Sequence, residues 1–209
     1  MRSRWLGLVV VAITLGFSLW AYPRLPGEVN LRGGAGDGTS RWFITTLIPV
    51  MIVVIWGIHA LLPRIDPKGG NYAKFIETYW RIGNGSFLVL GALHVVVLGI
   101  GVGWDLDLNR AVMVSAGILL LIYGNYMRRV QPTWFFIGIR TPWTLSSETV
   151  WRRTQRTASW LLVLVGVVTL VGSLVALRLA SALVMPALLV VALVLVVQSY
   201  VLWRKEQQG

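Results

Sequence analysis

"ASWLLVLVGVVTLVGSLVALRLASALVMPALLVVALVLVVQSYVLW", residues 158–203, runs for 46 residues with a single charged side chain, Arg178. As one helix it would be about 69 Å long at 1.5 Å per residue. That is more than twice the roughly 30 Å hydrocarbon core of a bilayer. The stretch therefore folds back on itself, and the turn is expected at Arg178–Ser181. Two apolar helices side by side in lipid decide the fold class, because backbone groups without access to water must be paired inside their own segment.

Working outward, four more stretches are long and apolar enough to cross a membrane, near 5–22, 42–62, 84–104 and 111–127. With 158–177 and 182–203 they make six spans. The expected fold is all-α: a polytopic membrane protein of six transmembrane helices. Composition agrees, since the 209 residues are 56% hydrophobic and 13% charged, with a mean hydropathy of +0.71. A soluble domain carries about 25% charged residues. The opening "MRSRWLGLVV" has the basic start of a signal peptide. Leu19-Trp20-Ala21 is a poor small-residue cleavage site, however, so this segment is read as an uncleaved first helix. Pro49 should break or kink the second span. Gly91, Gly99, Gly101 and Gly103 in the third could allow close helix approach or simply be tolerated there.

The formal net charge is +11. Its distribution speaks for membrane orientation rather than nucleic-acid binding: 14 of the 19 basic residues fall in the segments on one side of the spans and five on the other. The richer side, with Arg64, Lys68, Lys74, Arg81, Arg128, Arg129, Arg140, Arg152, Arg153 and Arg156, is expected to face the cytoplasm, together with both termini. Tryptophans 5, 20, 42, 80, 104, 160 and 203 fall at span ends, as in an interfacial aromatic belt, whereas Trp56 lies inside a span.

Chemistry is sparse. The chain has no cysteine, which excludes disulfides and thiol catalysis. All eight acidic residues lie in loops or at span ends, so no carboxylate marks an ion path through the membrane. His59 and His94 differ in depth by roughly 13 Å and have no neighbouring carboxylate, so no metal site is expected; His94 reads as an interhelical hydrogen bond. "GGAGDG", residues 33–38, lacks the Lys-Ser/Thr of a phosphate loop and reads as a flexible outer turn. Asp105, Asp107 and Asn109 lack the rest of a calcium loop and read as a solvated connection.

The most informative segment is 128–157. Within it, "GIRTPWTLSSETVWRRTQR", Gly138 to Arg156, is polar, aromatic and basic between two oily regions. Thr141 precedes Pro142 and is biased to an extended conformation, so an extended Arg-Thr-Pro-Trp collar is expected. Ser146 or Ser147 then caps a new helix with Glu148 in its first turn, and that helix continues into the fifth span. Glu148 and Arg152 stand four apart in the favoured charge order.

These residues carry a resemblance. Gly124-Asn125-Tyr126, Gly138 to Leu145, Ser147-Glu148, Trp151 and Thr154-Gln155-Arg156 resemble the signature of the SdpI family of bacterial membrane immunity proteins. Gln155 stands where the family shows His or Asn. The first third resembles the uncharacterised membrane domain that often precedes this signature, through Leu25-Pro26, Asn30, Gly33, Asp37 and Arg41; Glu28-Val29 replace the usual His-aromatic pair. The resemblance implies a region 1–80 with two helices and an outer loop, then a four-helix region 81–209.

It also implies a non-enzymatic protein of the bacterial cytoplasmic membrane, without metal or cofactor, that resists a secreted antimicrobial peptide toxin. A cytoplasmic repressor held at the membrane is the further partner it suggests. Asn125, Arg140, Thr141, Trp143, Glu148, Trp151 and Arg156 are expected to form a polar cluster that fixes helix ends or docks a partner, with Asn30, Asp37 and Arg41 in the outer loop. Two other classes stay open. A small transporter or channel would use His94, Asn84 and Ser115, and a membrane enzyme would join Arg140, Glu148 and Arg156 in one pocket.

Overall fold

The computed structural model describes residues 5–31 and 38–208. Asp37 and most of the 33–38 turn lie outside the described residues. Six long helices form the molecule: α1 (Leu6–Ala21), α2 (Arg41–Ile65), α3 (Ile76–Gly101), α4 (Leu108–Met127), α6 (Glu148–Val175) and α7 (Leu177–Gln208). A one-turn helix, α5 (Pro142–Ser146), precedes α6. All six long helices are long and apolar enough to cross a membrane. Leucines 189 and 193 of α7 are 68% and 66% exposed, and Val175 at the end of α6 is 82% exposed. So much contiguous apolar surface is untenable in water and natural against lipid.

The helices pack in two groups. α1, α2 and α3 contact one another; α4 joins them through α3 and lies against α6, which pairs with α7. The hairpin read from residues 158–203 is present, but its break is at Ala176 rather than Arg178–Ser181. Gly172 lets the arms close this early, since a Cβ there would meet the Ala180 Cβ at 2.9 Å. The third helix begins at Ile76, well before residue 84, because a 3-10 segment, Gly69–Phe75, leads straight into it. A pair of two-residue strands, β1 (Glu28–Val29) and β2 (Thr39–Ser40), closes the loop between α1 and α2 in antiparallel register. Neither the strands nor the 3-10 segment has a periodic signal long enough to read from sequence.

Pro49 does not break α2, which is continuous through both Pro49 and Pro63. A proline inside a helix frees the carbonyl four residues earlier, and in lipid that carbonyl needs another donor. Pro49 frees Thr45, whose carbonyl accepts from the Ser18 hydroxyl of α1 at 2.7 Å. With its proton committed there, Ser18 Oγ accepts from His94 Nε2 of α3 at 2.8 Å. Pro63 frees His59, whose carbonyl accepts from the Tyr79 hydroxyl of α3. Each proline thus turns a lost internal bond into a bond between helices, and His94 makes the interhelical link read from the sequence.

The tightest approach lies elsewhere than expected. Gly91 and Gly101 do admit side chains, Val10 and Leu25 respectively, and Gly99 makes room for Trp104. Backbone meets backbone, however, between α4 and α6. A Cβ on Gly117 would lie 3.2 Å from the Gly166 carbonyl oxygen, and one on Gly124 would lie 2.8 Å from Val163 N. Ser159 Oγ donates to the Gly124 carbonyl across this seam at 2.6 Å. Gly117 and Gly124 are seven apart, as are Ser159 and Gly166, so both sets of small residues stay on facing stripes.

The three-helix node makes a quantitative expectation. Ser18→Ala should cost about 1–2 kcal/mol, because it strands the Thr45 carbonyl. In a Pro49→Ala background the same change should cost less, since an alanine N–H at that position restores the internal donor. Reversible unfolding in detergent micelles, run as a double-mutant cycle, measures the difference; equal costs in both backgrounds would contradict this account of Pro49.

Candidate functional site: the collar at the basic end

The basic residues of the α2–α3 connection and of segment 128–157 gather at one end of the bundle. Asp66, buried immediately after α2, organises that end. Its carboxylate accepts from the Lys68 backbone N–H at 2.8 Å, from Trp134 N at 2.9 Å, from Phe135 N at 3.0 Å and from the Tyr72 hydroxyl at 2.9 Å. Burial by itself raises this carboxyl group's pKa, but the backbone donors of Phe135, Lys68 and Trp134, with Tyr72, outweigh it and hold it below its ordinary value. Two further bonds stitch the same segments: Lys68 Nζ donates to the Leu145 carbonyl at 3.1 Å, and Asn71 Nδ2 to that of Pro132 at 2.8 Å.

From the other side the collar is held by α6 and α7. Trp151, fully buried, donates its indole N–H to the Val130 carbonyl at 2.8 Å. Gln155 brackets Ile139, accepting from its N–H and donating to its carbonyl, both at 3.1 Å. A carboxamide can do both at once, which accounts for a buried polar residue in the middle of an apolar face. Gly138 sits at φ +146°, and a Cβ there would strike the Trp151 ring at 2.6 Å, so glycine is required on two counts.

Thr141 is extended, as the following proline dictates, but the collar does not stay extended. Pro142 takes the first position of α5, where its missing N–H costs nothing. Thr141 and Thr144 close a reciprocal capping box, the Thr141 hydroxyl accepting from Thr144 N at 3.2 Å and the Thr144 hydroxyl from Thr141 N at 2.9 Å. The Thr141 hydroxyl also meets Ser199 Oγ of α7 at 3.1 Å, and the Trp143 ring packs against Tyr200 at 5.1 Å. Ser147 caps α6, accepting from Val150 N at 3.2 Å, with Glu148 at the first helical position.

The seven residues singled out from the sequence therefore divide. Thr141, Trp143 and Trp151 are built into the collar. Asn125, Arg140, Glu148 and Arg156 are exposed, and no ion pair links Glu148 to Arg152, Arg140 or Arg156 among the described residues. Arg140 donates to the Trp134 carbonyl and borders an apolar crevice, whereas Glu148 borders a separate polar cleft with Lys68 and Asn71. No single pocket joins Arg140, Glu148 and Arg156 among the described residues. Of the outer-loop residues, Asn30 is exposed, and the Arg41 guanidinium lies over the Tyr22 ring at 4.7 Å.

The sequence reading missed the role of Asp66 and the packing of His59. Asp66 looked like any loop carboxylate, although its place three residues after Pro63, just past the end of a helix, was a usable signal. His59 lies flat on Tyr79, with ring centroids 3.7 Å apart, and edge-on to Trp80 and Phe136. Trp80 is itself buried in this aromatic cluster, not placed in an interfacial belt as expected.

Comparison with known proteins places this end of the molecule. Residues 129–201 match the model of the SdpI/YfhL protein family. The chain is 26% identical over 176 residues to "Immunity protein SdpI" of Bacillus subtilis (strain 168), a match covering 83% of this chain and 82% of that protein. No solved structure matches. With the six apolar helices, this makes the chain a multi-pass membrane protein.

Asp66→Asn keeps one acceptor oxygen but sets an NH2 group against the donors of the other, so it should strand part of this donor set and cost about 2 kcal/mol. The pH dependence has a definite sign. A carboxylate whose folded pKa is depressed stabilises the fold above its unfolded pKa, and that stability is lost as pH falls through the folded value. Thermal melts in detergent should show wild type losing stability below the ordinary value of 3.8. Asp66→Asn should be flatter across that window; parallel curves would contradict the assignment.

Proposed function

We propose that this chain, carrying an SdpI/YfhL-family domain, is an integral immunity or receptor-like protein of a bacterial cytoplasmic membrane. It would confer resistance to a secreted, membrane-active antimicrobial peptide. The observation that carries this reading is the 26% identity to an immunity protein along most of both chains, rather than over the signature alone. The excess of Lys and Arg at the collar end supports a cytoplasmic collar, with both termini on that side. The β1–β2 loop and the opposite helix ends would then face the secreted peptide.

The collar supports a second element of the proposal. Thr141, Thr144, Trp151 and Gln155 are taken up by internal bonds, whereas Arg140, Trp134, Phe135, Glu148, Arg152 and Arg156 form an outward face, all exposed although Arg140 also bonds the chain. This rigid basic and aromatic face suits a cytoplasmic protein partner, such as a repressor held at the membrane, because Trp and Arg are the residues that commonly anchor interfaces. Asn125, exposed near the end of α4, belongs to the same end of the molecule.

Expression in toxin-sensitive bacteria tests the reading. Wild type should allow growth at peptide concentrations that kill the empty-vector strain, and Arg140→Ala should lose at least part of that protection at equal membrane abundance. No protection by wild type against any candidate peptide, including that of the native host, would reject immunity. Full protection by Arg140→Ala would detach the collar's outward face from it.

A further inference from the structure

We propose that the crevice between α2, α3 and α4 is a binding site for one anionic phospholipid of the surrounding leaflet, its acyl chain in the crevice and its phosphate on Arg140. The cavity has a volume of about 560 Å³, within the usual range for small-molecule sites. Its walls are apolar, with Met51 and Ile55 on α2, Leu90 on α3 and Leu119 on α4. Met51 and Ile55 are also exposed on the outer surface of the bundle, so the crevice opens sideways toward lipid.

Length and charge select the occupant. Along α2 the crevice runs from Met51 to Leu62, about 16 Å at 1.5 Å per residue. That is about half of a roughly 30 Å hydrocarbon core, the depth of one leaflet. At the collar end the lining includes Arg140 and no acidic residue. An apolar channel one leaflet deep with a guanidinium at its headgroup end complements a phosphate with an attached chain, since guanidinium forks bind phosphate through paired hydrogen bonds.

His59 gives an independent sign that the wall expects a polar group. It lines the crevice about one turn below Leu62, is 6% exposed, and its Nε2 has no hydrogen-bond partner. A buried polar nitrogen is costly to leave unpaired, and the ester oxygens of a glycerolipid lie at that depth, just beneath the phosphate. Gly83 contributes by omission, because a Cβ there would sit 2.6 Å from this nitrogen. The site shares Arg140 with the collar's outward face but does not depend on the immunity reading, and Leu119, deep in the crevice, separates the two.

The test is lipid retention by the full-length protein. Protein reconstituted in vesicles of equal phosphatidylglycerol and phosphatidylcholine is extracted in mild detergent, and native mass spectrometry counts the lipids that stay bound. Wild type should keep one phosphatidylglycerol in preference to phosphatidylcholine. Arg140→Ala should reduce that retention roughly tenfold, the factor for losing one charge-assisted hydrogen bond. Arg140→Lys should retain part of it. Leu119→Trp should abolish it by filling the crevice while leaving Arg140 in place, with a melting curve confirming the fold. Arg128→Ala, which removes an exposed arginine from the same end, should leave retention unchanged. The proposal is overturned by equal retention of the two lipids, by unchanged retention in both Arg140→Ala and Leu119→Trp, or by an equal loss in Arg128→Ala.

Discussion

The structure depends on one constraint: a backbone N–H or C=O with no water beside it must find a partner inside the protein. In a straight apolar helix this is automatic. Where the chain departs from a straight helix, some side chain has to answer, and those answers are what connect the elements. The carbonyls freed by Pro49 and Pro63 are answered from α1 and α3 by Ser18 and Tyr79. The N–H groups of Trp134 and Phe135, in the part of the collar that has no regular structure, are answered by Asp66. Irregularities that would weaken a water-soluble helix are here the points of attachment between helices.

The collar shows the consequence for function. It is gripped by Asp66, Lys68 and Asn71 from the first half of the chain and by Trp151, Gln155 and Ser199 from the second. A segment tied on both sides reports the relative position of the two helix groups. The receptor-like role proposed above would draw on this, because a ligand that shifted one group against the other would have to move or strain the collar. Much of what looks like a recognition motif is thereby accounted for as structure: Gly138 for its backbone angle, Pro142 and Thr141 for a helix start, Trp151 for a buried indole bond. What remains free for a partner is the outward face.

Particular residues show where sequence reasoning reached and where it stopped. The six helices were legible because length and apolarity are set by bilayer thickness, a one-dimensional property. His94 was legible as an interhelical bond because a polar ring in the middle of a span has few other options. A cap at Ser146 or Ser147 followed from local chemistry alone, and the structure places it at Ser147. That Pro49 does not break its helix was not legible, since this depends on a donor, Ser18, that lies in another helix and that no local window contains. The extended collar was misjudged at Pro142–Ser146 because Thr144 completes a capping box that a single favoured angle at Thr141 does not reveal.

By itself, then, the sequence determined the all-helical membrane-spanning class, the number of spans and the concentration of basic charge at one end, because each follows from local composition along the chain. Only the tertiary structure decided which seven-residue stripes of small side chains face each other, that Asp66 is the organising carboxylate of the collar end, and that Arg140 and Glu148 border different clefts. The physical reason is the same in each case. These outcomes depend on which distant groups meet to pair a buried polar atom, and such meetings are properties of packing rather than of any stretch of sequence.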